Sequence, residues 1–123
     1  MDEHLKQWNC AVVHVGVNCA DAGEAERLAQ FLSDCFGISP ERNSDASVFA
    51  GPFVELMKQP GRGRHGHIAV ATDDILATRA YLESIGCAFD DTGNKYFPDG
   101  SLMLTYLDYD FAGFALHLLQ RSK

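Results

Sequence analysis

Two stretches of the chain match at a constant offset. With HVGVNCAD (14–21) set beneath HIAVATDD (67–74), His14 falls on His67, Val15 on Ile68, Val17 on Val70 and Asp21 on Asp74, each 53 positions apart. Each copy is a short β-branched run, which suits a half-buried strand. An internal repeat of this length confines the chain to a fold built from two copies of one supersecondary unit.

Each run leads into helical spacing. After Asp21, the residues Leu28, Phe31, Leu32 and Cys35 predict a buried stripe; after Asp74, Ile75, Thr78, Leu82 and Ile85 predict another. Asp21 and either Asp73 or Asp74 are the expected N-caps, and Gly37 and Gly86 the expected left-handed C-terminal caps. Beyond each helix the period changes to two. In the first half SVFAG and PFVELMKQ read as strands, with a short third near 38–43. In the second half CAFDD, SLMLTYLD and GFALHLLQ do, with FPDGS (97–101) as a turn. The expectation is an α+β chain of two βαβββ modules, residues 10–59 and 65–121, joined by the linker QPGRGRHG (59–66). That linker is too short to separate independent domains, and neither half can bury its sheet alone, so residues 1–123 read as a single domain.

Strand alternation sorts the polar residues by face. In the first strand Val13, Val15 and Val17 form the face expected beneath a helix, leaving His14, Gly16 and Asn18 on the other. In the equivalent strand His65 and His67 share a face with Ala69 and Ala71. Glu55 stands with Phe53 and Met57, and His117 with Ala115 and Leu119, each an ionisable group in an otherwise apolar strand. A buried unpaired carboxylate is costly, so Glu55 needs partners. His14, Glu55, His67 and His117 occupy the first and last strands of both units, and imidazole with carboxylate is the donor set of a divalent ion such as zinc, nickel, manganese or iron. His65 reads as a rim residue, and His4 as part of a frayed terminus.

Ten basic residues against seventeen acidic give a formal charge of −7. That balance argues against nucleic-acid binding, which needs a basic face. No apolar run reaches the ~20 residues of a membrane helix. Cys10, Cys19, Cys35 and Cys87 lack CxxC or zinc-ribbon spacing and have mostly apolar neighbours, which suits buried, reduced thiols. With no readable signal peptide, the expected location is cytoplasmic.

Paired βαβββ modules with a His in the first strand of each and an acidic residue in a closing strand resemble the vicinal oxygen chelate superfamily. That group includes glyoxalase I, methylmalonyl-CoA epimerase, extradiol dioxygenases and bleomycin-resistance proteins. HVGV with CFGI, and GHIAVATDD with LESIG, carry the resemblance over about residues 10–121. A narrower likeness, in VELMKQPGRGRHGHIAVATDD, NKYFPDG and FALHLLQ, is to small bacterial members that also occur fused to keto-hydroxyglutarate/keto-deoxy-phosphogluconate aldolase. The resemblance implies a curved mixed sheet forming a cup, commonly in a homodimer. It implies a divalent metal on His14, Glu55 and His67, and a fourth position, usually Glu, filled by His117 as ligand or acid/base. The implied activity is a metal-dependent lyase or isomerase on a small α-oxygenated metabolite, with Arg62, Arg64 and Lys95 as candidate anion anchors at the rim. The same scaffold also serves as a non-catalytic binding, sequestering or regulatory module.

Overall fold

The computed structural model describes residues 2–122. A short helix α1 (Glu3–Lys6) precedes the first module, β1 (Ala11–Asn18), α2 (Ala22–Phe36), β2 (Pro40–Asn43), β3 (Ser47–Ala50) and β4 (Val54–Met57). The second module repeats the order as β5 (Gly66–Thr72), α3 (Ile75–Ser84), β6 (Phe89–Tyr96), β7 (Leu102–Leu107) and β8 (Phe114–Gln120). All eight strands form one sheet in the order β2-β3-β4-β1-β5-β8-β7-β6. No helix among the described residues is long and apolar enough to cross a membrane.

The two modules meet at the antiparallel β1–β5 pair, and each of these strands runs parallel to the last strand of its own module. His14 pairs with Ala69 and Gly16 with His67, on either side of Val15–Ile68. The 53-residue offset exchanges those two outer pairs, so a pseudo-twofold axis passes through Val15–Ile68. The neighbouring registers obey the same symmetry, with Gly16 beside Glu55 and Ala69 beside His117. Glu55 and His117 are therefore structurally equivalent, as are His14 and His67.

Both helices cover one face of the sheet. α2 packs Ala25 and Ala29, with Leu32, on Val17, Val48, Ala50, Val54 and Leu56. α3 brings Ile75 and Leu82 onto Val70, Leu107, Leu116 and Leu118. Asp21 caps α2 by accepting from the Glu24 amide, and Glu24 reaches back to the amide of Ala20. Of the two aspartates before α3, Asp74 is the cap, accepting from Ala77, while Asp73 takes Asn9 and Arg121.

Several expectations change. Of the predicted α2 stripe only Leu32 packs on the sheet, beside Ala25 and Ala29; Leu28, Phe31 and Cys35 are exposed, with Phe31 paired to the exposed Phe36. Small side chains let the helix approach the sheet closely, which Phe31 on that face would prevent. Cys10 and Cys19 are buried as expected, but Cys87 is only half-buried. Both expected glycine caps hold: Gly37 (φ 69°) and Gly86 (φ 103°) follow their helices, which close through Gly37 N–H to Ser33 O with Ile38 N–H to Leu32 O, and through Gly86 N–H to Glu83 O with Cys87 N–H to Leu82 O. Strand β6 runs on past CAFDD to Tyr96. His4 lies in α1 rather than a frayed end, its ring stacked on Tyr81 at 4.6 Å.

Candidate metal centre

The uncovered face of the sheet forms a cavity of about 510 Å³ whose lining includes His14, Glu55, His67 and His117 from four adjacent central strands of one chain. The ligating atoms of the three histidines lie within 4.8 Å of one another. His14 Nε2 is 3.2 Å from His67 Nε2, and Glu55 Oε1 is 3.0 Å from the latter and 3.4 Å from the former. Donor atoms bound at 2.0–2.2 Å to one ion are separated by roughly 3.0 Å in octahedral and roughly 3.4 Å in tetrahedral coordination. The spacings among His14, Glu55 and His67 span that interval, so these three donors fit a single divalent ion.

Local contacts hold each donor. Glu55 is fixed through Oε2, which accepts from the Ser47 hydroxyl at 2.7 Å. Burial pushes its carboxyl up, but hydrogen bonds from His14, His67 and Ser47 outweigh that and hold it well below the ordinary carboxylate range. His117 is 2 % exposed and donates from Nδ1 to the Leu118 carbonyl at 3.3 Å, which leaves Nε2 as its lone-pair nitrogen. His67 depends on Gly16: a Cβ there would sit 2.0 Å from His67 Cε1. Alternation alone placed Gly16 on this face, but its role appears only with the cross-strand register.

Two aromatic walls repeat the symmetry. Phe49, paired with Glu55, stands edge-on to His14 at 5.3 Å; Tyr106, paired with His117, stands edge-on to His117 at 5.2 Å. An arginine covers each ring, Arg42 over Phe49 and Arg62 over Tyr106. Of the candidate anchors, Arg62 and Lys95 line the cavity, whereas Arg64 is exposed and absent from the lining. Arg42 was missed by the sequence reading. Val13 joins the lining instead of the helix face, because a bulge between Val12 and His14 interrupts the alternation of β1. His65 packs on Phe114, away from the donors. A cavity of about 540 Å³ beside the start of α3 and the 97–102 turn includes Phe97 but none of the three clustered histidines.

Burial, reinforced by repulsion from His67, lowers the His117 pKa from 6.5 to about 3. The unfolded chain protonates this group near 6.5, so between those values the unfolded state binds more protons and stability rises with pH. Glu55 stays outside the upper part of that window, since the stability from its depressed carboxyl is lost only as pH falls below 4.5. Metal-free protein taken from about pH 7 to about pH 5.5 is expected to lose about 1 kcal/mol more than a His117→Gln variant, by urea unfolding. Equal losses would contradict the assignment.

Neither a protein-family model nor a curated protein matches the chain. Solved structures do. Streptomyces coelicolor methylmalonyl-CoA epimerase, in complex with 2-nitronate-propionyl-CoA, is 18% identical, with 91% of this chain and 97% of the epimerase covered and a TM-score of 0.62. The Mycobacterium tuberculosis methylmalonyl-CoA epimerase is 17% identical over 100% of this chain and 93% of its own, at a TM-score of 0.63. A hypothetical protein from Bacillus halodurans C-125 is 13% identical, covering 94% and 96%, at 0.64. At these identities the likeness shows the fold, which is α+β and of the glyoxalase/bleomycin-resistance type.

Proposed function

We propose that this chain is a divalent-metal-dependent isomerase or lyase acting on a small α-oxygenated metabolite. The observation that carries the proposal is the convergence of three imidazoles, their ligating atoms within 4.8 Å of one another, with an ionised carboxylate 3.0 and 3.4 Å from two of them, on the floor of an open cavity. Zinc, nickel, manganese and iron all suit this donor set. His14, Glu55 and His67 would hold the ion, with His117 as fourth ligand or acid/base. When bound, such an ion supplies Lewis acidity to two neighbouring oxygens of a small molecule.

The chain's own groups do the rest. Ser47 orients Glu55 and keeps one oxygen aimed at the imidazoles. His117 is neutral at neutral pH, so its lone pair is available to an ion; a pKa lowered to about 3 makes it a weak base and favours the ligand role over proton abstraction. Phe49 and Tyr106 flank the donors with apolar rings, edge-on to His14 and His117. The named epimerases sharing the fold favour isomerisation over cleavage within this proposal. Aldol chemistry through a Schiff base is not included, since such a lysine needs desolvation and Lys95 in the lining is exposed. A homodimer is part of the reading, although all four donors come from one chain.

Incubating zinc-, nickel- or manganese-loaded protein in deuterated water with a panel of 2-oxo and 2-hydroxy acids and their thioesters tests the chemistry. Proton NMR is expected to show loss of the α-proton signal of at least one compound, with the rate falling about a hundredfold in His117→Gln. Tight binding without exchange would identify a sequestering module instead.

A further inference from the structure

The charge inside the cup opposes the charge of the chain. The molecule carries −7 overall, yet the cavity is lined by Arg42, Arg62 and Lys95 against the single carboxylate of Glu55, which is already engaged by His14, His67 and Ser47. Lys95 has no hydrogen-bond or ion-pair partner among the described residues.

Arg62 is the most deliberately placed of the three. Its guanidinium carbon lies 4.6 Å above the Tyr106 ring, and Tyr106 abuts His117, so one aromatic ring separates it from the donor cluster. Asp90 takes one of its donors through Nη2. A guanidinium has five N–H groups, and those of Arg62 not bound to Asp90 have no protein acceptor among the described residues. The position is also built around it: a Cβ on Gly93 would fall 2.7 Å from Arg62 Nη1 and 2.9 Å from the Tyr106 ring. Gly93 thus clears space for Arg62 as Gly16 does for His67.

Resting on the proposed metal centre for its other end, we infer that the ligand is a short acid. It presents two vicinal oxygens to the histidine cluster and a second oxyanion, carboxylate or phosphate, to Arg62. The planar fork of Arg62 matches either oxyanion with two parallel hydrogen bonds, and Lys95 adds a second positive charge at the mouth. An uncharged distal group would forgo the two charge-assisted hydrogen bonds and leave the part-exposed Arg62 donors to solvent.

Three probes separate the possibilities: lactate, which has the vicinal oxygens alone; malate, which adds a distal carboxylate; and 3-phosphoglycerate, which adds a distal phosphate. Binding is measured by calorimetry on zinc-treated and on chelator-treated protein, with zinc content determined separately. Malate, 3-phosphoglycerate or both should bind about tenfold or more tighter than lactate, although the −7 chain repels the more highly charged acids in bulk. Which of the two gains identifies the oxyanion. The advantage should vanish in Arg62→Gln and return in part in Arg62→Lys, which keeps the charge but not the fork. Equal binding of all three acids, no binding of either polyanion, or an advantage surviving in Arg62→Gln would overturn the inference. Arg62-dependent discrimination by zinc-treated protein that retains no zinc would uphold the Arg62 contact and refute the metal centre; bound zinc without discrimination would do the reverse.

Discussion

Gly16→Ala is expected to empty the site without touching a ligand. One methyl group would be placed 2.0 Å from the His67 ring, inside any permissible contact, and that ring is held between β1 and Glu55 with little room to yield. Either the imidazole rotates out of the cluster or the central β1–β5 pair separates locally. Overpacking of this kind costs about 1–3 kcal/mol in stability, readable by urea unfolding. Displacement of one donor should weaken zinc binding about a hundredfold, measured by competition with a chromophoric chelator. The symmetry supplies the control. Ala69 is the pseudo-equivalent of Gly16 and already carries a methyl group opposite His14, because the bulge between Val12 and His14 shifts that strand. Ala69→Gly should therefore cost only about 1 kcal/mol of strand stability and leave zinc affinity within a few-fold. Similar zinc affinities for Gly16→Ala and Ala69→Gly would show that the His67 position is not set by Gly16.

The second large effect is expected at Glu55. Glu55→Gln keeps shape and one acceptor oxygen but removes the only anionic donor of the cluster. Zinc held by four protein ligands gains roughly 3 kcal/mol from each, so the variant should bind about a hundredfold more weakly. Glu55→Ala goes further, leaving the buried Ser47 hydroxyl and two imidazole nitrogens without their acceptor. Unsatisfied buried donors cost about 1–3 kcal/mol, so this variant should also be less stable than Glu55→Gln in the absence of metal. Chelator competition and urea titration on the same preparations separate the two effects. A Glu55→Ala protein that keeps full zinc affinity would remove the carboxylate from the proposed ligand set.

Much of this was legible in the repeat. The 53-residue offset carried the order of elements, and with period-two alternation it placed His14, Glu55, His67 and His117 at equivalent positions before any register was known. What escaped was whatever depends on pairing between distant segments. Gly16 looks like a gap in β1 until His67 is set beside it. Arg42 looks like an ordinary exposed strand residue until Phe49 is seen to occupy the position that Tyr106 occupies in the other module. Alternation mis-set Val13 because a bulge inserts a residue without a sequence signature there. The face of α2 was misread because alanine contributes little to an apolar stripe, although Ala25 and Ala29 let that helix close on the sheet. In the linker no period exists, so nothing distinguished Arg62, which lines the cup, from Arg64, which does not.

The central claim is that the four pseudo-symmetric residues form one metal centre within one chain. Elemental analysis of untagged protein, purified without chelator and compared with a His67→Ala/Glu55→Ala double variant, tests it most directly. The account predicts about one divalent ion per chain in the wild type and none in the variant. Absence of metal from both, persisting after reconstitution with zinc, nickel, manganese and iron, would contradict it.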